Sequence, residues 1–219
     1  MLNDLDGKMI DGLEFCSKVY CLFEKLRIKA DRCEKIPLRE TSSGKLMIEE
    51  LLPICRYVQT CYRAGRYISV KWINGNQTYD AELVQRGDYV ELGYYPENAF
   101  LEVTSAMHEN EHWMWKLSPA FAPEGVKRGK DGTRVCEPVT FTNMEHVENF
   151  VPLVLKSIEV KSKKNYPENT SLIVQCFLNT LYLNDEWEYL ISKVRENVKD
   201  HPFNELLVFD GLNQKTVII

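Results

Sequence analysis

Two acidic side chains set the chemistry to look for. Asp80 stands early in Tyr79-Asp80-Ala81-Glu82-Leu83-Val84, and Glu102 stands within Asn98-Ala99-Phe100-Leu101-Glu102-Val103-Thr104. Both runs have the β-branched, aromatic and alternating character of strands. Successive strand side chains face opposite ways, so Asp80 and Glu82 share one face, while Tyr79, Ala81 and Leu83 take the other. Glu102 and Thr104 likewise share a face opposite Leu101 and Val103. Adjacent antiparallel strands would bring Asp80 and Glu102 together at one end of a sheet. Two carboxylates held close are costly unless a cation or a proton compensates them. Hard oxygen ligands of this kind suit Mg²⁺ (or Mn²⁺), which keeps several waters and takes substrate phosphate.

The elements that must position these groups follow from pattern. Apolar residues at helical spacing predict an amphipathic helix over 8–30. A polar stretch with Pro37 and Gly44 reads as a loop. A second helix follows over 45–64, which Pro53 must kink or delay, and Gly65 is a natural stop. Residues 67–73 read as a strand, and Asn74-Gly75 signals a tight hairpin into the Asp80 strand. The region 86–96 is turn-rich and leads to the Glu102 strand. Residues 107–143 are irregular, with Pro119, Pro123, Pro138 and a basic run from Lys127 to Arg134. Helical spacing of Val147, Val151, Val154 and Ile158 predicts a helix over 142–164, which either kinks at Pro152 or starts close to it. Residues 171–177 are apolar enough for a central strand. Asp185 can cap a helix to about Val198, and 204–209 offers a last short strand. The order is α, β-β-β, α, β, α, β, which predicts an α/β fold with a mixed sheet flanked by helices.

This order, with Tyr79-Asp80 and Glu102-Val103-Thr104, resembles the PD-(D/E)XK, or restriction-endonuclease-like, superfamily, and in particular bacterial and phage members of it. The likeness covers roughly residues 46–177 and extends to the Glu102-Val103-Thr104-Ser105-Ala106 run and to the segment from Ile158 to Thr170 entering an apolar strand. It implies an αβββαβ core within a single domain over 1–219, preceded by a helical extension (1–45) and followed by an α/β extension (178–219). The family's Pro is Tyr79 here, and its strand Lys is Thr104. Thr can hydrogen-bond a water but supplies no charge. The resemblance implies that a neighbouring helix supplies the cation. Lys161 suits this role because it follows Ile158 and Val154 on the inward stripe, whereas Lys163 and Lys164 point to solvent or phosphate. A helical acid before the first strand completes such sites, and Glu50, in preference to Glu49, matches it. A literal acid-x-Lys also occurs at Glu159-Val160-Lys161. Were that segment a strand, Glu159 would replace Glu102.

A second motif competes. His108-Glu109-Asn110-Glu111-His112 reads as H-E-x-x-H. On a helix, His108 and His112 would bind Zn²⁺, with Glu109 as general base and Glu124, Glu137 or His146 as third ligand. It follows a strand after only Ser105-Ala106-Met107, and its middle positions, Asn110 and Glu111, are poor for a buried helix. It reads more readily as a polar turn, or as His108 or Glu109 assisting beside Glu102.

Composition bounds the rest. The 219 residues are 44% apolar, enough for a sizeable core. The net charge of −5 does not announce a nucleic-acid binder, although a local basic groove can sit on an acidic protein. Trp113 and Trp115 lie before the basic run and read as packed side chains more readily than as a grip on single strands. Seven cysteines without a C-x-x-C pair read as reduced thiols behaving as small hydrophobes. No signal peptide and no apolar span of membrane length is present in the sequence given. The reading is a cytoplasmic Mg²⁺- or Mn²⁺-dependent nuclease acting on DNA in preference to RNA, without a membrane, and with a homodimer or protein partner open. Asp80, Glu102, Lys161, Thr104 and Glu50 form its site. A catalytically inactive nuclease-fold binder of nucleic acid or protein is the alternative, and a zinc metalloprotease through His108 and His112 the third.

Overall fold

The computed structural model describes residues 2–31, 42–107, 126–128, 131, 133–136, 142–178, 183–211, 213 and 215–219. The H-E-x-x-H pentapeptide, Trp113, Trp115, Glu124 and Glu137 lie outside them.

A seven-stranded mixed sheet organises the molecule. Its strands, in spatial order, are β1 (Ile10–Asp11), β2 (Tyr67–Trp72), β3 (Ala81–Arg86), β4 (Asn98–Ala106), β7 (Thr170–Cys176), β8 (Leu206–Asp210) and β9 (Lys215–Ile218). The first four pair antiparallel, β4–β7 and β7–β8 pair parallel, and β9 closes the far edge antiparallel. A separate antiparallel pair, β5 (Val126–Arg128) and β6 (Arg134–Cys136), lies in the stretch whose pattern gave no elements.

The helices are α1 (Gly12–Asp31), α2 (Ser42–Leu46), α3 (Leu52–Cys61), the short α4 (Asp88–Glu91), α5 (Asn143–Ser162) and α6 (Asn184–Asn197), with a π-helical turn at Met47–Leu51 between α2 and α3. Parallel strands need a crossover, and here β4 reaches β7 through α5, and β7 reaches β8 through α6.

Alternation along each strand splits the interior into two cores. On one face Phe15 and Val19 of α1 and Ile54 and Val58 of α3 pack on Val70, Leu83, Leu101, Ile173 and Leu207. On the other, Phe150 and Val154 of α5 and Leu190 and Val194 of α6 pack on Ala106, Leu172, Val174 and Val208. Strand β7 is buried along its whole length, as the apolar run predicts for a sheet covered on both faces. The segments read as terminal extensions join this same sheet, through β1 at one edge and through β8 and β9 at the other.

Several expectations are corrected. Asn74-Gly75 does not form a two-residue hairpin: Trp72 pairs with Ala81, so eight residues connect β2 to β3. Neither residue has the positive φ that a type I′ turn demands, and Asn74 N–H donates to Asp6 Oδ1 at 3.0 Å. Pro53 marks a late start, one of the two outcomes expected of it: α3 begins at Leu52, with Pro53 in its first turn. Its missing N–H and its clash with the carbonyl four residues back fall where the helix widens, and Leu52 N–H reaches Met47 O. The last helix starts at Asn184 rather than behind an Asp185 cap, with Glu186 Oε2 accepting from Leu183 N–H at 2.6 Å. The helix from Thr142 is as expected, closed by a capping box: Thr142 Oγ1 accepts from Glu145 N–H, and Glu145 Oε2 from Thr142 N–H.

Candidate functional site

Glu102 sits where β4 changes neighbours. Up to Leu101 the strand is flanked by β3 and β7; beyond it β7 continues to Ala106 while β3 has ended. A strand losing a partner exposes backbone donors that must be satisfied. Asp80 does this. It lies just before β3, not within it, yet its N–H donates to Leu101 O at 2.8 Å and its O accepts from Ile73 N–H at 3.1 Å. Its Oδ2 then accepts from Val103 N–H at 2.7 Å. The backbone thus fixes the carboxylate against the residue that follows Glu102.

Alternation turns Glu102 away from Leu101 and Val103 and toward α5. Helix α5 runs back along β4: Ser157 Oγ lies 3.3 Å from Ser105 O, and one turn later Lys161 Nζ donates to Glu102 Oε1. Lys161 therefore occupies the inward stripe with Val154 and Ile158, as its spacing predicted. Glu102 is 5% exposed, and a charge that deep requires a partner. The same Oε1 accepts from Tyr166 Oη at 3.3 Å. Thr104, half-buried, shares Glu102's strand face two residues on.

Glu50 approaches from the opposite face of the sheet. In the π-helical turn it stands between the buried Met47 and Leu51, and Trp72 Nε1–H donates to its Oε2 at 2.9 Å. Glu49 points elsewhere, 3.8 Å from Lys45 Nζ. Glu159 is on the outer side of α5, paired with Lys163 at 2.8 Å. The segment is a helix, so Glu159 does not replace Glu102. His146, offered as a zinc ligand, is buried in α5, with Nε2 2.7 Å from Leu178 O.

Asp80 and Glu102 thus share one ammonium, with Glu50 near enough for its charge to act on Asp80. Burial, the Glu102 charge and, more weakly, Glu50 push the Asp80 carboxyl up to about 7, against the Val103 N–H and Lys161. Burial also raises Glu50, with Glu49 and Glu102 adding and the Trp72 indole opposing. Burial and then Glu102 raise the Tyr166 phenol, which stays a donor throughout the physiological range.

Among the described residues, one oxygen of each carboxylate is bonded, whereas Asp80 Oδ1, Glu102 Oε2 and Glu50 Oε1 accept no hydrogen bond from any of them. No group of three or more His, Cys, Asp or Glu side chains among those residues is disposed to hold a metal ion by itself. That donor set does not suit Ca²⁺ or a structural Zn²⁺. It is compatible with Mg²⁺, for which one or two carboxylates suffice and water and phosphate fill the rest.

Two members of the cluster escaped sequence reasoning. Tyr166 stands in the turn between α5 and β7, where no periodicity marks a residue. Trp72 reads only as the apolar end of a strand, although a buried indole N–H must find an acceptor.

Compared with protein-family models, with curated proteins and with solved structures, the chain matches none. Among the described residues no helix is long and apolar enough to cross a membrane.

Proposed function

We propose that the protein is a Mg²⁺-dependent nuclease that hydrolyses phosphodiester bonds, built on a restriction-endonuclease-like core. The observation that carries this reading is the meeting of Asp80, Glu102 and Lys161 from the approach to β3, from β4 and from α5, with Glu50 close enough for its charge to act on Asp80. In place of a strand lysine, the α5 ammonium on Glu102 supports the reading.

Asp80 Oδ1 and Glu102 Oε2 would hold the cation, and Mn²⁺ would substitute for Mg²⁺. Such an ion polarises a phosphoryl oxygen and makes a bound water a better nucleophile. Lys161 stabilises negative charge that develops on the phosphoryl oxygens, a role suited to a preorganised, partly buried ammonium. Thr104 orients a water through its hydroxyl. Glu50, whose carboxyl burial pushes above its ordinary value, would complete the acidic side of the site. DNA is the preferred substrate class in this reading. A binding role without catalysis is the competing reading, favoured by the net charge of −5.

The test is cleavage of single- and double-stranded DNA and RNA with Mg²⁺ and Mn²⁺. Asp80→Ala and Glu102→Ala are expected to abolish activity, and Lys161→Met to lower it about 100-fold, as when one charge-stabilising group is removed. Thr104→Lys in the Lys161→Met background is expected to restore part of it. No cleavage by folded wild type would leave the binding reading; equal cleavage by Asp80→Ala would reject the site.

A further inference from the structure

Glu102 Oε1 accepts two donors at once, the Lys161 ammonium and the Tyr166 hydroxyl at 3.3 Å, while Oε2 accepts none from the described residues. The arrangement is asymmetric. A carboxylate held by one oxygen cannot rotate about its terminal bond without losing both donors, so Oε2 keeps a fixed heading. Lys161 also holds it, but an ammonium drawn toward a substrate phosphoryl oxygen holds Glu102 less firmly.

Tyr166 is built to stay in place. It precedes Pro167, which confines its backbone to extended conformations. Its ring lies 5.3 Å from that of Phe203, itself 5% exposed. Pro167 O accepts from Thr170 Oγ1 at 2.8 Å, which ties the turn to the start of β7. Lys161, by contrast, reaches Glu102 on a flexible stem from the last turn of α5.

We infer that Tyr166 is a positioning residue of the proposed site: its hydroxyl holds Glu102 so that Oε2 is presented for a divalent cation, and it keeps Glu102 oriented when Lys161 turns to a phosphoryl oxygen. The inference rests on the nuclease reading for the cation and goes beyond it in assigning Tyr166. Residues that orient metal ligands typically contribute 10- to 100-fold in metal affinity, and a neutral hydroxyl belongs at the lower end of that range.

Tyr166→Phe removes the hydroxyl and keeps the ring on Phe203, and Tyr166→Leu removes both. Mn²⁺ binding is measured directly, by the electron-spin-resonance signal of the free ion, alongside cleavage of a DNA duplex. Both variants are expected to bind Mn²⁺ about tenfold more weakly than wild type. The Mn²⁺ concentration for half-maximal cleavage rises by the same factor, and KM for DNA is unchanged. Wild-type Mn²⁺ affinity in Tyr166→Phe, with binding abolished in Asp80→Ala, would overturn the inference and leave the site standing. Weakened binding in Tyr166→Leu alone would assign the effect to packing and overturn it equally. Wild type that binds no Mn²⁺, or binds it regardless of Asp80 and Glu102, would overturn both the inference and the reading beneath it.

Discussion

Two clusters of charge are built into this sheet, and they are assembled on opposite terms. Near the start of β2, Arg66 is 2% exposed and each nitrogen of its guanidinium donates a hydrogen bond. Nε donates to Gln85 Oε1 at 2.8 Å, Nη1 to Glu205 Oε1 at 3.2 Å, and Nη2 to Glu205 Oε2 at 3.1 Å and Tyr57 Oη at 3.0 Å. Tyr57 Oη also donates to Glu205 Oε2, and the Tyr95 ring covers the guanidinium at 3.6 Å. One cation meets one anion, and each carboxylate oxygen is used. The cluster on β4 sets two carboxylates, Asp80 and Glu102, against one ammonium, with Glu50 nearby, and leaves an oxygen of each of the three acids without a partner among the described residues. Both are polar and largely withdrawn from water. The balanced cluster ties α3, β2, β3 and the approach to β8 together. The unbalanced one is held by the fold against its own charge, as a site that awaits a cation would be.

That comparison can be broken by removing one partner from each side. Glu205→Ala strands the Arg66 guanidinium, and unfolding in urea is expected to show a loss of about 3–5 kcal/mol, the cost of an uncompensated buried charge. A loss below about 1 kcal/mol would mean that water reaches the pair and that it is an ordinary surface bridge.

Asp80→Asn is expected to do the opposite. Asp80 titrates at about 7 in the folded chain, above its ordinary 3.8. Its charged form is therefore disfavoured by folding. This cost is absent below about pH 4, grows between pH 4 and 7, and is complete above that. The asparagine variant should match wild type at pH 4 and exceed it at pH 8, by at most about 4 kcal/mol without metal. Unfolding at the two pH values checks this; an equal difference at both would mean that Asp80 is already compensated.

A smaller effect sharpens the same point. Mg²⁺ at about ten times its dissociation constant is expected to stabilise wild type by about 1.4 kcal/mol, more at pH 8 than at pH 6, because the ligand must lose its proton. The stabilisation should vanish in Asp80→Asn and persist in Glu205→Ala measured at a temperature where that variant is folded. Equal Mg²⁺ shifts in all three would make the effect non-specific screening.

Much of the architecture was legible because it is periodic. The apolar run over 171–177 announced a strand covered on both faces, found at Thr170–Cys176, and Val147, Val154 and Ile158 announced the inward stripe of α5 on which Lys161 falls. Features without a period were not legible. The π-helical turn before Pro53, the eight-residue β2–β3 connection and the edge pairings of Ile10–Asp11 and Lys215–Ile218 depend on partners distant in sequence. A two-residue strand carries no pattern of its own; it exists only because Val70 and Ser69 offer it backbone groups.

The sequence by itself determined which groups are available: two carboxylates in apolar runs, a lysine on an inward helical stripe and an acid on the helix before the strands. It could do so because alternation and helical period are local properties of the backbone. Only the tertiary structure decided that Asp80 caps Val103 N–H just before β3 begins, that α5 runs back along β4 to put Lys161 on Glu102, and that Tyr166 joins them. Those meetings cross long stretches of chain, and strand order, helix direction and desolvation fix them together.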